Sequence, residues 1–148
     1  MAALATAPKP RFVADMRAGL GELGRRVPGR KTGAIGFCFG GGQVWSLINS
    51  GDRRLAAAAP FYGPAPEQPN FSRSRAAVLA VYAGLDTRVN ASRPRAVAAL
   101  ERADLTYRVR TFQGADHAFF NSTGQRYNPV AARQAYAAVL DWFRTHLS

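Results

Sequence analysis

The chain has 148 residues and a mass of 16.0 kDa, is 47% hydrophobic and 20% charged, and carries a net charge of +11 drawn almost wholly from arginine. That length suits one domain, and that apolar fraction excludes a disordered chain. A single cysteine excludes an internal disulfide framework, no Cys/His spacing suits zinc, and no apolar run approaches the roughly 20 residues of a membrane helix. The N-terminal MAALATAPKPRF sets its basic residues after a very short apolar stretch, which is not the order of a secretory signal, so a soluble, cytoplasmic protein is expected. The arginines stand in ones and twos (Arg25-Arg26, Arg53-Arg54, Arg73 and Arg75, Arg93 and Arg95, Arg108 and Arg110), with no dense tract interleaved with aromatics. They read as a solvated surface rather than a nucleic-acid site.

In chain order, Phe12, Val13, Met16, Leu20, Leu23 and Val27 recur at spacings of three and four, which predicts a helix with one buried face, weakened by Gly19, Gly21 and Gly24 and ended by Pro28-Gly29. Residues 32–37 (TGAIGF) predict a short buried strand, and 39–49 a helix closed by Ser50-Gly51. Residues 56–62 predict a second strand, followed by a loop marked by Pro64, Pro66 and Pro69. AVLAVY at 77–82 is the strongest strand signal, uninterrupted by polar residues as a parallel strand covered on both faces would be. Asn90 or Ser92 can cap a helix with Pro94 in its first turn. Residues 106–112 alternate as a strand, and a last helix begins near Pro129, with Ala132, Tyr136, Val139, Leu140, Phe143 and Leu147 as its expected buried face. Strand–helix alternation of this kind predicts an α/β fold: about four mostly parallel strands with helices on both faces.

Gly36-Phe37-Cys38-Phe39-Gly40 falls between a predicted strand and a predicted helix, the arrangement of a nucleophile elbow with cysteine in place of serine. Such a turn holds its nucleophile in strained backbone angles, so Gly36 and Gly40 are expected to be required for lack of side chains, and Gly40-Gly41-Gly42 to let the helix approach closely. The elbow aims the Phe39 N–H at the spot where an oxyanion would form. Asp86 ends the strongest strand and His117 follows the next one. Nucleophile, acid, histidine is the chain order of the α/β-hydrolase triad, each member at the carboxyl end of a strand. Singly, Cys38 could be a buried small hydrophobe, Asp86 a capping residue and His117 a structural histidine; together, order and context favour Cys38 as nucleophile, His117 as proton carrier and Asp86 as its orienting acid. Asp116 is a rival acid, but a neighbour in sequence points away from the His117 ring.

The blocks IGFCFGGG (35–42), YAGLD (82–86) and GADHAFFN (114–121) resemble the dienelactone hydrolase, or carboxymethylenebutenolidase, family. The resemblance implies a cysteine hydrolase of lactone or enol-ester bonds in small molecules, with Cys38, Asp86 and His117 as triad and no cofactor. Arg126-Tyr127-Asn128 also looks like members of the family. Where an arginine holding the substrate carboxylate would stand in the family, this chain has Asn121.

Family members carry about four strands before the nucleophile strand, which supply a second oxyanion N–H and a glutamate. The resemblance therefore implies that residues 1–148 form a single, N-terminally shortened domain of an α/β-hydrolase-like fold. Such a chain is a hydrolase, or a catalytically impaired fragment or interaction module of the same fold. In either case strand 32–37 would present an exposed edge, through which a homodimer is expected.

Overall fold

The computed structural model describes residues 9–148. Residues 1–8, which include the start of the stretch weighed above as a secretory signal, lie outside the described residues. The elements are α1 (Lys9–Arg26), β1 (Thr32–Phe37), α2 (Phe39–Asn49), β2 (Leu55–Phe61), β3 (Ala77–Ala83), α3 (Thr87–Asn90), α4 (Arg93–Arg102), β4 (Tyr107–Phe112) and α5 (Pro129–Leu147). The strands form one sheet in the order β1-β2-β3-β4, and every pair is parallel. In register, Phe37 lies beside Phe61, and Phe61 beside Val81.

Period-two alternation divides the core. Ala58, Val78, Ala80 and Tyr82 face α1, α2 and α4, whereas Ala57, Ala59, Phe61, Leu79 and Val81 face α5. Both central strands are covered on both sides, which is why β3 reads as a continuous apolar run. Trp45 of α2 stacks on Phe71 from the β2–β3 loop, with ring centroids 5.6 Å apart.

Several local expectations need correction. α5 buries Ala131, Ala132, Ala135, Val139 and Trp142, whereas Tyr136 and Leu140 stand 55% and 43% exposed. The Trp142 Nε1–H donates to Ala77 O at 3.2 Å and turns the 135–139–142 stripe toward the sheet. Among the described residues of α1 only Leu20 is buried, and Leu23, with Val27 just past the helix, is exposed, because β1 is the edge of the sheet and no described strand lies beyond it to cover them. Ser92 occupies the N-cap position of α4 without capping it; its hydroxyl donates to Val89 O and accepts from Ala65 N. Asp86, in turn, caps the unexpected short helix α3 through Val89 N. Among the described residues no helix is long and apolar enough to cross a membrane.

Candidate active site

In a parallel sheet every strand points its carboxyl end the same way, so residues just after β1, β3 and β4 meet at one edge. The structure places Cys38, Asp86 and His117 there. Cys38 follows β1 with φ 56° and ψ −116°, in the region that L-residues rarely occupy, and its N–H donates to Phe61 O at 3.1 Å. Gly36 makes the turn possible: a Cβ there would lie 2.2 Å from Gly40 O, a clash with backbone. Gly41 and Gly63 let the start of α2 approach the end of β2, since a Cβ on Gly41 would come within 2.3 Å of Phe61 O and one on Gly63 within 2.2 Å of Gly42 N. Gly40 departs from the expectation, because a Cβ there meets nothing within 4 Å. Cys38 is also not a buried hydrophobe; it is exposed.

The acid and the histidine are tied to the same frame. Gly84 N–H donates to Phe112 O and Leu85 N–H to Ala115 O, which fastens the loop carrying Asp86 to the loop carrying His117. Asp86 is 7% exposed and divides its oxygens: Oδ1 accepts from Val89 N at 3.1 Å, and Oδ2 lies 2.5 Å from His117 Nδ1. An ionised carboxylate only accepts, so that contact puts the ring proton on Nδ1 and leaves Nε2 to take one. Nε2 lies 3.0 Å from Cys38 Sγ. Asp116 does not compete. Its Oδ1 accepts from the His117 backbone N–H at 2.6 Å, and its other oxygen lies 3.9 Å from Arg126 Nε.

Phe39 opens α2, where first-turn N–H groups have no acceptor within the helix and carry its positive end. Beside the sulfur is a mostly apolar pocket of about 370 Å³ lined by Phe37, Cys38, Tyr62, Ala118, Phe120 and Asn121. A larger concavity of about 910 Å³ between β4 and α5 contains none of Cys38, Asp86 and His117. Tyr62, Phe37 and Phe120 are site residues that motif reading missed. Tyr62 directly follows β2, at the edge where Cys38 sits, and that position was the available signal. Its ring meets the His117 ring edge-on at 5.3 Å. Burial pushes the Tyr62 phenol up to about 12, with the nearby Cys38 adding to the rise and a hydrogen bond from the Phe120 backbone opposing it. The phenol therefore stays neutral through the physiological range. Among the described residues no group of three or more His, Cys, Asp or Glu is placed to hold a metal ion.

The profile of the Dienelactone hydrolase family matches residues 3–147. A protein of Saccharolobus solfataricus named provisionally as a carboxymethylenebutenolidase is 31% identical over 116 residues, covering 78% of this chain and 44% of its own length. A Synechocystis protein with the same provisional name is 30% identical, covering 82% and 53%. The chain thus spans about half the length of the curated relatives it matches. The crystal structure of a provisionally named dienelactone hydrolase from Klebsiella pneumoniae superposes with a TM-score of 0.84 at 23% identity, covering 97% of this chain and 64% of that one. A dienelactone hydrolase-like promiscuous phosphotriesterase from metagenomic libraries gives 0.81 at 24% identity, covering 93% and 62%. At these identities the structural likeness shows the fold, a shortened α/β-hydrolase-like sheet.

Proposed function

The chain belongs to the dienelactone hydrolase family, and on that premise we propose that it hydrolyses lactone or ester bonds with Cys38 as nucleophile, His117 as proton carrier and Asp86 as orienting acid. The observation that carries this reading is the unbroken line Sγ–Nε2–Nδ1–Oδ2, at 3.0 and 2.5 Å.

Each step follows from that line. The Cys38 proton passes to His117 Nε2 as Sγ forms a bond to the acyl carbon, and the carbonyl electron pair moves onto its oxygen. The Phe39 N–H, at the start of α2, donates to that oxyanion. Collapse breaks the bond to the alkoxy oxygen, which leaves with the proton from Nε2, and an acyl thioester stays on Cys38. His117 then takes a proton from water, the hydroxyl adds to the thioester, and the sulfur departs to recover its proton. Asp86 remains ionised and steadies the imidazolium through Nδ1–H. The apolar lining of the pocket and the amide of Asn121 suit an uncharged acyl group better than a dicarboxylate.

Turnover of small lactones and p-nitrophenyl esters by the wild type and by Cys38→Ala is the test. The alanine variant should lose at least about 1,000-fold in kcat/KM. Equal rates would refute Cys38 as nucleophile. Binding of substrate analogues without turnover by the wild type would instead favour an interaction module of the same fold.

A further inference from the structure

At the opposite end of the sheet, the loops that enter β2 and β3 lie side by side, because those strands pair in parallel with Ala57 beside Ala77. Each loop carries two arginines just before its strand: Arg53 and Arg54 before Leu55, Arg73 and Arg75 before Ala77. With Arg17 of α1 they line one concavity of about 570 Å³, whose other walls include Gly51, Asp52, Ser72 and Ser74. In the sequence most of these residues are isolated pairs; the fold gathers five arginines and one aspartate around one hollow.

That carboxylate is already occupied. Asp52 is buried and accepts from Arg54 Nε at 2.9 Å, Arg54 Nη2 at 2.5 Å, Arg54 N at 3.1 Å and Arg17 Nε at 3.0 Å. These hydrogen bonds, Arg54's foremost, hold its carboxyl far below the ordinary aspartate range. Among the described residues Arg53, Arg73 and Arg75 are exposed and make no ion pair. Like charges in a concavity reinforce one another's potential, and guanidinium groups meet phosphoryl oxygens two at a time. The volume lies within the range of small-ligand sites. The strands separate it from Cys38 by about 20 Å, so it is not a part of the candidate active site.

We infer that this concavity, formed by Arg17, Arg53, Arg54, Arg73 and Arg75, binds a compact anion bearing two or more phosphoryl groups. The arginines line one hollow rather than running in a stripe, which suits a small polyanion better than a nucleic-acid backbone.

The test is titration calorimetry with inorganic pyrophosphate at about 0.1 M ionic strength, where charges more than about 10 Å apart are largely screened. The wild type should bind saturably. Arg73→Ala/Arg75→Ala should weaken binding by about 10- to 100-fold or more, whereas Arg133→Ala/Arg144→Ala, which removes the same net charge from α5, should bind as the wild type does. Should the first pair fail to fold, Arg53→Ala replaces it and should still weaken binding about tenfold. No saturable binding, or equal weakening by both pairs, overturns the site. Retention of duplex DNA without pyrophosphate binding overturns the compact ligand and assigns the arginines to a nucleic-acid backbone.

Discussion

Cys38 holds a left-handed backbone conformation, which costs a non-glycine residue on the order of 1–3 kcal/mol and persists only where its surroundings enforce it. The enforcement comes from Gly36, whose missing side chain leaves room for the carbonyl of Gly40. Gly36→Ala should therefore lower stability by about 2–4 kcal/mol in urea denaturation. Gly40→Ala, with open space at its Cβ, should change it by less than about 1 kcal/mol and in the stabilising direction. Two equal losses would mean that the strain is not localised at Gly36. Asp86 offers a second division, because one oxygen caps α3 and the other holds His117. Asp86→Asn keeps an acceptor for Val89 N–H but removes the negative charge. Denaturation should move by no more than about 1 kcal/mol while ester turnover falls by about 1,000-fold or more. A loss of turnover explained by unfolding would reduce Asp86 to a cap. The motif around Cys38 and the order of Asp86 and His117 were legible in the sequence because the glycines of the turn and the ends of the apolar strands mark their positions. Tyr62 was not, because nothing but its position after β2 marks it.

Among the elements, the four strands and most helix limits follow from apolar runs and from Gly, Pro and Asn signals; Asn128 caps α5 just ahead of Pro129 and accepts from Ala131 N–H. Which residues of α5 turn inward follows only in part: Ala132 and Val139 are buried and Phe143 and Leu147 half-buried as their spacing predicts, whereas Tyr136 and Leu140 are exposed. Its alanines make two stripes comparably apolar, one through Tyr136 and Leu140 and one through Ala135, Val139 and Trp142. The choice rests on a tertiary contact, the Trp142 indole with Ala77 O, that periodicity cannot register. Trp142→Ala should accordingly cost about 3–5 kcal/mol, and Tyr136→Ala no more than about 0.5 kcal/mol. The reverse ranking in thermal or urea unfolding would restore the face expected from spacing alone. The arginine concavity was hidden for a similar reason: sequence distance separates Arg17, Arg53 and Arg73, and only the parallel pairing of β2 with β3 and the contact of Arg17 with Asp52 join them.

For the whole molecule, the two edges of the sheet differ. β4 carries the exposed Arg108 and Arg110 on its α5 side, Arg108 lying over the Trp142 ring, and charges within an edge strand discourage strand addition. β1 has no charge within it, and Ile35 and Phe37 are 44% and 38% exposed along it. Beside it, an apolar groove of about 600 Å³ runs between α1 and α2. Two such edges can pair antiparallel about a two-fold axis, so sedimentation of the purified chain should report a species of twice 16.0 kDa. A 16.0 kDa monomer with slowly exchanging amides along residues 32–37 would contradict that pairing. The central claim is more local: one sulfur at the carboxyl edge of this sheet forms the covalent intermediate. Acid-quenching the protein during turnover of p-nitrophenyl acetate, followed by peptide mass spectrometry, tests it most directly. A single acetyl group on the peptide containing Cys38, absent from Cys38→Ala and accumulating when His117→Ala slows its release, is the predicted result. Hydrolysis with no acyl group on Cys38 under any quench time would contradict it.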